Sequence, residues 1–303
     1  MKELPIIRYS FWYLTVAALL VGASIVLLIN PGLRLGIDFT GGTLWRLAPP
    51  AEDSLSVESL QGVFQDALKI TDAHITRSSD NVYFVRMPVI DEAAHQSYLK
   101  ELTAAVPGVT ELSFETIGPS IGDDLRQNAV RAIVLGLIGI SLYIAFAFRK
   151  ISRPIKSWKY GVVTLLTLFH DVIIAAGFLA LAGILWGVEI DANFIVAMLV
   201  IAGFSVHDTI VVFDRIREQL LTHKGQLDFK ELINNSVNQT LARSINTSLT
   251  LILVLVVLLL LGPSTLRFFV AAMLVGTTMG TYSSIFVASP LLYLWEGKPR
   301  DGR

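Results

Sequence analysis

Six apolar runs, each long enough to cross a lipid bilayer, set the strongest limit on how this chain can fold. A helix of about 20 predominantly apolar residues crosses the hydrocarbon core. The sequence therefore predicts an α-helical membrane protein with six transmembrane helices. The runs occupy residues 11–29, 128–148, 160–186, 192–213, 241–261 and 266–295.

Composition supports the same class and excludes others. Of the 303 residues, 53% are hydrophobic and 16% are charged, whereas soluble globular domains carry about 25% charged residues. The formal net charge of −1 provides no basic face for a nucleic-acid partner. The chain has no cysteine, so disulfides and thiolate metal sites are excluded. The first run is predicted to be an uncleaved span, because no small-x-small cleavage site precedes Asn30-Pro31.

The segment between the first two runs is polar enough to form a folded domain. Its hydrophobic pattern alternates between strand and helix, and the order βαββαβ predicts a ferredoxin-like α+β domain. The domain is acidic, and His74 and His95 are expected at its surface, without metal-ligand spacing. Strands are predicted at 43–48, 73–78, 82–87 and 109–117, and helices at 55–68 and 91–105.

The distribution of lysine and arginine predicts the topology. Basic residues concentrate at the N-terminus, at 149–159, at 215–230 and at the C-terminus, and by the positive-inside rule these segments are cytoplasmic. Both termini are then inside, and residues 32–126 form an outer, extracytoplasmic domain. The predicted domains are 1–31, 32–126 and 127–296 with a cytoplasmic loop at 214–240, followed by a cytoplasmic tail at 297–303. Within that loop, residues 215–239 are predicted to form an amphipathic surface helix pair broken at Lys224-Gly225. Pro290 is expected to kink or end the sixth span.

One carboxylate stands out inside the fourth run. Asp208 follows His207 and lies roughly 9 Å along a helix from Asp214, the residue that closes the run. An ionised carboxylate inside a bilayer costs roughly 2.5–3.5 kcal/mol on insertion scales. A residue this costly is expected to carry a proton, to pair with a cation or to line a wet cavity.

Arg243 is a candidate partner for Asp208, because both lie near the inner ends of consecutive spans. Protonation of Asp208 would release Arg243, which describes a proton-gated switch. The alternatives are a static ion pair or an Arg243 side chain that extends to the headgroups.

A second His-Asp pair, His170-Asp171, lies nearer the middle of the third run. Asp171 completes a polar path with Asp208 in one interpretation. In the other it hydrogen-bonds to a neighbouring helix and only fixes packing. The sequence leaves both open.

No catalytic set is predicted, and the chain is not expected to be an enzyme or to bind a cofactor or metal. The metalloprotease sequence HExxH and the phosphate loop GxxxxGK[ST] are absent. Gly41-Gly42 and Gly118–Gly122 are interpreted as turns. The small residues between Gly276 and Ser284 are typical of close helix packing.

Several motifs in one order resemble the SecD/SecF family of bacterial protein translocation. The segment Gly36-Ile37-Asp38-Phe39-Thr40-Gly41-Gly42-Thr43 is similar to the family's GxDFTGGT sequence, and Gly118–Gly122 to its GPxxG sequence. His170-Asp171 matches an HD pair in the third span. Residues 207–218, which end in Asp214, Arg215, Ile216, Arg217 and Glu218, resemble the motif (N)DTIVVFDRIRE. His207 is a departure, because the family often has asparagine there.

The resemblance implies a six-span, RND-like half of a pseudo-symmetric assembly in the bacterial cytoplasmic membrane, with a SecD-like subunit as the other half. It implies that the proton-motive force assists preprotein export beside the SecYEG channel, with YajC and YidC as further candidate partners. Asp208 would be the proton-responsive carboxylate and Arg243 its partner; His170, Asp171 and His207 are the other candidate proton-coupling residues. The alternatives are an RND-type exporter of small molecules or lipids, and an assembly scaffold.

Overall fold

The computed structural model describes residues 4–50, 55–77, 81–147, 155–223 and 228–296. It divides into two compact units. The helical unit comprises Met1–Leu33, Ala132–Ala182 and Asn193–Arg303, and the α+β unit comprises Arg34–Arg131 and Gly183–Ala192. The basic segment at 149–154, the predicted helix break at Lys224-Gly225 and the tail at 297–303 lie outside the described residues. The domain limits predicted from sequence stay predictions.

The elements follow one another along the chain with short connections. The first part contains α1 (Ser10–Ile29), α2 (Ile37–Thr40), β1 (Gly42–Ala48), α3 (Val57–Asp66), β2 (His74–Arg77), β3 (Tyr83–Met87), α4 (Glu92–Ala105) and β4 (Thr110–Ile117). The second part contains α5 (Pro119–Ala147), α6 (Ser157–Trp186), α7 (Asn193–His223), α8 (Phe229–Leu261), α9 (Arg267–Ser283), a π turn (Ser284–Ala288) and α10 (Ser289–Glu296).

Six helical segments of the described chain are long and apolar enough to cross a membrane. They are α1, α5, α6, α7, α8 and the sixth segment, which joins α9, the π turn and α10. Few side chains of α1, α5 and α8 are buried in the isolated chain, whereas about half or more of those on α6, α7 and the sixth segment are buried.

Four of the long helical segments differ from the predicted ones. α5 begins at Pro119 rather than at Asn128. The surface helices predicted after the fourth span are not separate, because α7 continues without a break to His223 and α8 starts at Phe229. The sixth segment changes at Ser284, where the π turn begins. Pro290 lies in the same continuous segment, and a helix-interior proline cannot donate to the carbonyl four residues earlier. That carbonyl belongs to Phe286, inside the π turn, so the irregularity lies where Pro290 is expected to disturb the helix.

Within the helical unit, α7 packs against both α8 and α9. Small residues allow the closest of these contacts. A Cβ atom at Gly276 on α9 would overlap the side chain of Ile201 on α7. The position therefore needs glycine for close approach of the two helices.

The α+β unit contains a four-stranded sheet in the order β2-β3-β1-β4, with every neighbouring pair antiparallel. β1 is central, and its Trp45 lies opposite Val85 on β3 and Phe114 on β4. Side chains of alternate strand residues point to one face, where they meet α3 and α4. The fully buried members of this core are Trp45, Leu47, Leu60, Phe64, Tyr83, Val85 and Leu102.

His95 is buried, and the expectation of a surface histidine at this position was wrong. Only 4% of the residue is exposed. Its Nε2 lies 2.7 Å from Glu111 Oε2, which also accepts a hydrogen bond from Trp45 Nε1 at 2.7 Å. The ring stacks on Phe114 at a centroid distance of 3.7 Å. His95 is therefore a hydrogen-bonded core residue. His74 is exposed, as expected.

A loop from the helical part of the sequence belongs to the α+β unit. We call residues 187–192, between α6 and α7, the attachment loop. The N–H of Gly36 donates to Ile190 O at 2.9 Å, and the N–H of Ile190 donates to Arg34 O at 2.8 Å. Asp38 Oδ2 accepts the N–H of Ala192 at 2.7 Å. Backbone pairing thus fixes the loop to the segment that contains the GxDFTGGT-like sequence.

The side-chain ion pair of this loop contributes less than the backbone bonds. Glu189 pairs with Arg86 on β3, and 34% of the glutamate side chain is exposed. Burial raises the pKa of the Glu189 carboxyl more than Arg86, His74 and Arg34 lower it. The cost of desolvating Glu189 therefore outweighs its attraction to these side chains. Exposed ion pairs typically contribute about 0–1 kcal/mol to stability.

Glycines of the motif allow tight backbone contacts. Gly36 is buried, and a Cβ atom there would lie 2.8 Å from Ile190 O. Gly41 and Gly42 have φ angles of 70° and 121°, which side chains disfavour. Gly122 faces Gly41 so closely that a Cβ on Gly122 would lie 2.7 Å from Gly41 N. Phe39 is buried, and Thr40 donates its hydroxyl to Gly36 O at 3.0 Å.

Replacing Gly36 by alanine should detach the loop. The new Cβ cannot fit beside Ile190 O, so the two backbone hydrogen bonds, worth about 1 kcal/mol each, should weaken. We expect the Ile190 amide of the purified full-length protein to exchange its hydrogen about tenfold faster. Gly62→Ala is the matched control, because Gly62 lies in α3 with no atom within 4 Å of its Cβ position. Equal exchange in all three proteins would contradict this account of Gly36.

The role of Asp38 as a hydrogen-bond acceptor can be tested separately from its negative charge. Asp38→Ala removes the partner of the Ala192 N–H, and we expect faster exchange of that amide. Asp38→Asn keeps a carbonyl oxygen at the same place, and we expect it to preserve most of the protection. If asparagine proved as damaging as alanine, the negative charge rather than the hydrogen bond would be what Asp38 supplies.

Candidate functional site

The helical unit contains two buried carboxylates, Asp171 on α6 and Asp208 on α7. Asp171 is 0% and Asp208 is 2% exposed. Both stand among apolar side chains of helices that are long enough to span a membrane. A buried carboxylate is costly unless hydrogen bonds or cations satisfy it, so the partners of each acid decide what it can do.

Asp171 is held by three donors from three helical segments. His170 Nδ1 lies 2.8 Å from Asp171 Oδ1. The hydroxyls of Ser205 on α7 and Ser283 on α9 donate to Oδ2 at 2.5 Å and 2.8 Å. Gly280 brings α9 close, because its Cβ position lies 3.6 Å from Oδ2. Both oxygens are therefore occupied, and the acid joins α6, α7 and α9.

His170 shares one proton with Asp171. A carboxylate only accepts hydrogen bonds, whereas a carboxylic acid can donate one. The proton of the 2.8 Å contact therefore resides either on Nδ1 or on the acid. The other ring nitrogen, Nε2, is buried and has no hydrogen-bond partner among the described residues.

Asp208 is less well satisfied than Asp171. Among the described residues, one hydroxyl hydrogen-bonds to Asp208, that of Ser284, 3.3 Å from Oδ2. The Ser244 hydroxyl on α8 also interacts with this acid, although it lacks good hydrogen-bond geometry. Ser205 lies one turn before Asp208 on α7 but bonds to Asp171 instead. Asp208 is thus the buried acid with spare acceptor capacity.

The two remaining charged candidates lie on the surface of the isolated chain. His207 is exposed on α7, and Arg243 is exposed on α8, directly before the buried Ser244. In the part of the chain that the structure describes, no ion pair joins Arg243 to Asp208. The Asp208–Arg243 pair stays a prediction.

The charged end of the (N)DTIVVFDRIRE-like motif lies on the extension of α7. Arg217 pairs with Asp214 at 3.1 Å, and Arg215 pairs with Glu218 at 2.6 Å. Arg215 Nε also donates to Gln239 Oε1 on α8 at 2.6 Å. The Arg215–Gln239 hydrogen bond joins the extensions of α7 and α8, whereas both ion pairs lie within α7.

Serines are the functional candidates that the sequence interpretation missed. Ser205, Ser283 and Ser284 supply three of the four hydrogen bonds from hydroxyls or imidazole to the two acids. In an apolar run, a serine is most often a small packing residue. The one available clue was the placement of Ser205 three residues before Asp208, on the same helix face.

One further segment has the residue spacing of a catalytic serine motif. Gly118–Gly122 fits the G-x-S-x-G pattern of a nucleophile turn between a strand and a helix. Ser120 is exposed in the first turn of α5. Among the described residues, no hydrogen bond joins Ser120 to a histidine. The described residues also contain no group of three or more His, Asp or Glu placed to hold a metal ion.

Comparison with known proteins identifies the family. The model of "Protein export membrane protein SecD/SecF, C-terminal" matches residues 97–298, and that of "SecD/SecF GG Motif" matches residues 26–44. The second match covers Gly36, Asp38, Phe39, Thr40, Gly41 and Gly42, residues that contact the attachment loop, precede β1 or begin it.

Relatives match over almost the full chain. The protein translocase subunit SecF of Thermobaculum terrenum is 40% identical over 96% of this chain and 93% of its own. SecF of Anaerolinea thermophila is 37% identical over 95% and 92%. SecDF of Thermus thermophilus is 39% identical over 96% of this chain, which corresponds to 39% of the longer relative.

The fold matches as well. The crystal structure of SecDF from Thermus thermophilus, described as a translocon-associated membrane protein, superposes with a TM-score of 0.84 and 36% identity. The superposition covers 97% of this chain and 39% of the SecDF chain. The chain has six apolar helices, matches a family model over two thirds of its own length and has relatives of this similarity. It is therefore a multi-pass membrane protein that belongs to the SecD/SecF family.

Proposed function

We propose that the chain is an accessory subunit of the Sec translocase that uses the proton-motive force to assist preprotein export across the cytoplasmic membrane. One observation carries this proposal. Asp208 is 2% exposed between apolar helices and accepts one long hydrogen bond, from Ser284 at 3.3 Å. A buried acid with few donors changes protonation more readily than one whose acceptors are filled.

Asp208 is the proposed proton-responsive acid, and Asp171 is the proposed anchor beside it. The three donors on Asp171 favour a fixed charge distribution, because each would have to reorient if the acid changed its state. His170 completes that anchor. His207, exposed on the same helix as Asp208, is proposed to modulate the pH range in which Asp208 responds.

Arg243 is the proposed partner in the ion-responsive pair. Its neighbour Ser244 interacts with Asp208, so a change in the Arg243 side-chain conformation could bring its guanidinium towards the acid. An exposed arginine in an apolar helix is costly in lipid. That cost supports a second protein against the α8 face.

A SecD-like subunit is the proposed partner for that face. In the SecDF relatives this chain corresponds to 39% of a longer protein, which leaves room for a fused second half. The SecYEG channel, YajC, YidC and the preprotein are proposed as further partners from the family resemblance.

The α+β unit is proposed to be the outer, ferredoxin-like domain. The order βαββαβ and the antiparallel sheet β2-β3-β1-β4 support this assignment. The proposed topology places this unit outside the bacterial inner membrane and both termini in the cytoplasm. Preprotein emerging on the outer side would then meet this unit.

Replacing Asp208 by asparagine tests the proposal. The side chain keeps its size but cannot carry the charge, so we expect the force-dependent part of preprotein export to disappear. Export is measured with and without a proton-motive force, with the SecD-like partner co-expressed and assembly checked by co-purification. Asp228→Asn is the matched control, because Asp228 is an exposed carboxylate outside the apolar run and asparagine caps helices equally well.

The outcomes separate the alternatives. Normal assembly with lost force dependence supports proton coupling through Asp208. Normal export in Asp208→Asn contradicts it and favours an assembly scaffold, in which the buried acids only fix packing. A small-molecule or lipid exporter would show no export defect but would change its own substrate's efflux.

A further inference from the structure

Two adjacent serines of the sixth segment contact the two buried acids. Ser283, the last residue of α9, donates to Asp171 at 2.8 Å. Ser284, the first residue of the π turn, donates to Asp208 at 3.3 Å. Both serines are 0% exposed. One peptide unit of the sixth segment thus connects acids on α6 and α7.

Ser284 has a choice of acceptors. Its hydroxyl lies 3.3 Å from Asp208 Oδ2 and 3.0 Å from Thr281 O, the backbone carbonyl three residues earlier. A serine hydroxyl has a single hydrogen and can donate to only one of them fully. The direction of this hydrogen bond therefore depends on which acceptor is stronger.

The protonation state of Asp208 decides that competition. An ionised carboxylate only accepts, and it attracts the Ser284 hydrogen as a charge-assisted bond. When a proton binds to Asp208, the new O–H can donate to Ser284 Oγ. The Ser284 hydrogen then turns to Thr281 O. The incoming proton stays on the carboxyl, and only the direction of two hydrogen bonds changes.

The change occurs where the helix is irregular. The π turn Ser284–Ala288 begins at Ser284, and its buried side chains include Ile285, Val287 and Ala288. π turns are rare, single-turn features that are frequent at functional sites. Ser283 is fixed on Asp171 on the α9 side of this junction, and Thr281 lies in the last turn of α9. A change in the hydrogen bond of Ser284 therefore acts at the junction between α9 and the π turn.

We propose that Ser284 is a positioning residue that couples the protonation of Asp208 to the π turn of the sixth segment, with Ser283 and Asp171 as its fixed support. This inference rests on the proposed role of Asp208. The groups that interact with Asp208 are Ser244 from α8, Ser284 from the sixth segment and His207 on its own helix. His207 is the titratable group in that set.

Infrared difference spectroscopy on the purified full-length protein, titrated with pH, tests the coupling. The carboxyl band of Asp208 is identified by its loss in Asp208→Asn. In Ser284→Ala the ionised acid loses a charge-assisted hydrogen bond, so we expect its protonation midpoint to move upward by about one pH unit. Ser284→Thr restores the hydroxyl and should return the midpoint to that of the unmodified protein.

Ser289→Ala is the matched control. Ser289 is buried on the same segment, and its hydroxyl has no hydrogen-bond partner in the described part of the chain. We expect its midpoint to be unchanged. The pH profile of force-dependent export should shift in Ser284→Ala in the same direction as the infrared midpoint, a result that a purely structural defect would not produce.

The failures of the two ideas are distinguishable. An unchanged midpoint in Ser284→Ala, with the Asp208 band present, overturns the role of Ser284 and leaves the proposed function intact. A shift of equal size in Ser289→Ala also overturns it, because any lost hydroxyl would then act alike. If Asp208→Asn removes no titrating band, both the coupling and the proton-responsive role of Asp208 are wrong.

Discussion

The hydrogen bonds to Asp171 hold the buried centre of the helical unit together. This carboxyl is fully buried and receives contacts from His170 on its own helix, from Ser205 on α7 and from Ser283 on α9. Hydrogen bonds to a charged group contribute about 1.5–3 kcal/mol each, and a buried charge without them would be strongly destabilising. The positions of three helices therefore depend on one polar centre, and the apolar contacts, such as Gly276 against Ile201, fill in around it.

Asp208 depends on that centre because its environment is built by the same helices. α7 carries both Ser205, which serves Asp171, and Asp208 itself. Fixing α7 through Ser205 sets the depth and rotation of Asp208, so the less satisfied acid is presented to Ser284 in a defined geometry. Both oxygens of Asp171 accept hydrogen bonds, whereas Asp208 has spare acceptor capacity. This difference supports the proposal that Asp171 is the fixed anchor and Asp208 the proton-responsive acid.

Much of the architecture could be predicted from periodicity, and much of the site could not. The strands and helices of the α+β unit lie within about two residues of the predicted limits, because alternation and amphipathic spacing encode them locally. Asp171 and Asp208 were singled out because charge is conspicuous in an apolar run. Ser283 and Ser284 were not singled out, since a serine becomes important only through neighbours that are distant in sequence.

The position of His95 was misjudged for the same reason. Glu111, Trp45 and Phe114, which surround it, come from other elements. The positions of Asp208 and Arg243 in consecutive spans predict a similar depth in the membrane, but they do not establish a contact between the two side chains.

The attachment loop makes the α+β unit discontinuous in sequence. Asp38 and Ala192 are 154 residues apart, and the second and third apolar helices separate the loop from the sheet in the sequence. During synthesis, the sheet and its two helices can form as soon as β4 has emerged, yet Gly36 and Asp38 must wait for residues 190–192. Such non-local closure is slow to form. The unit can therefore reach its final state only after the second and third apolar helices have been synthesised, so completion of its fold depends on the helical part of the chain.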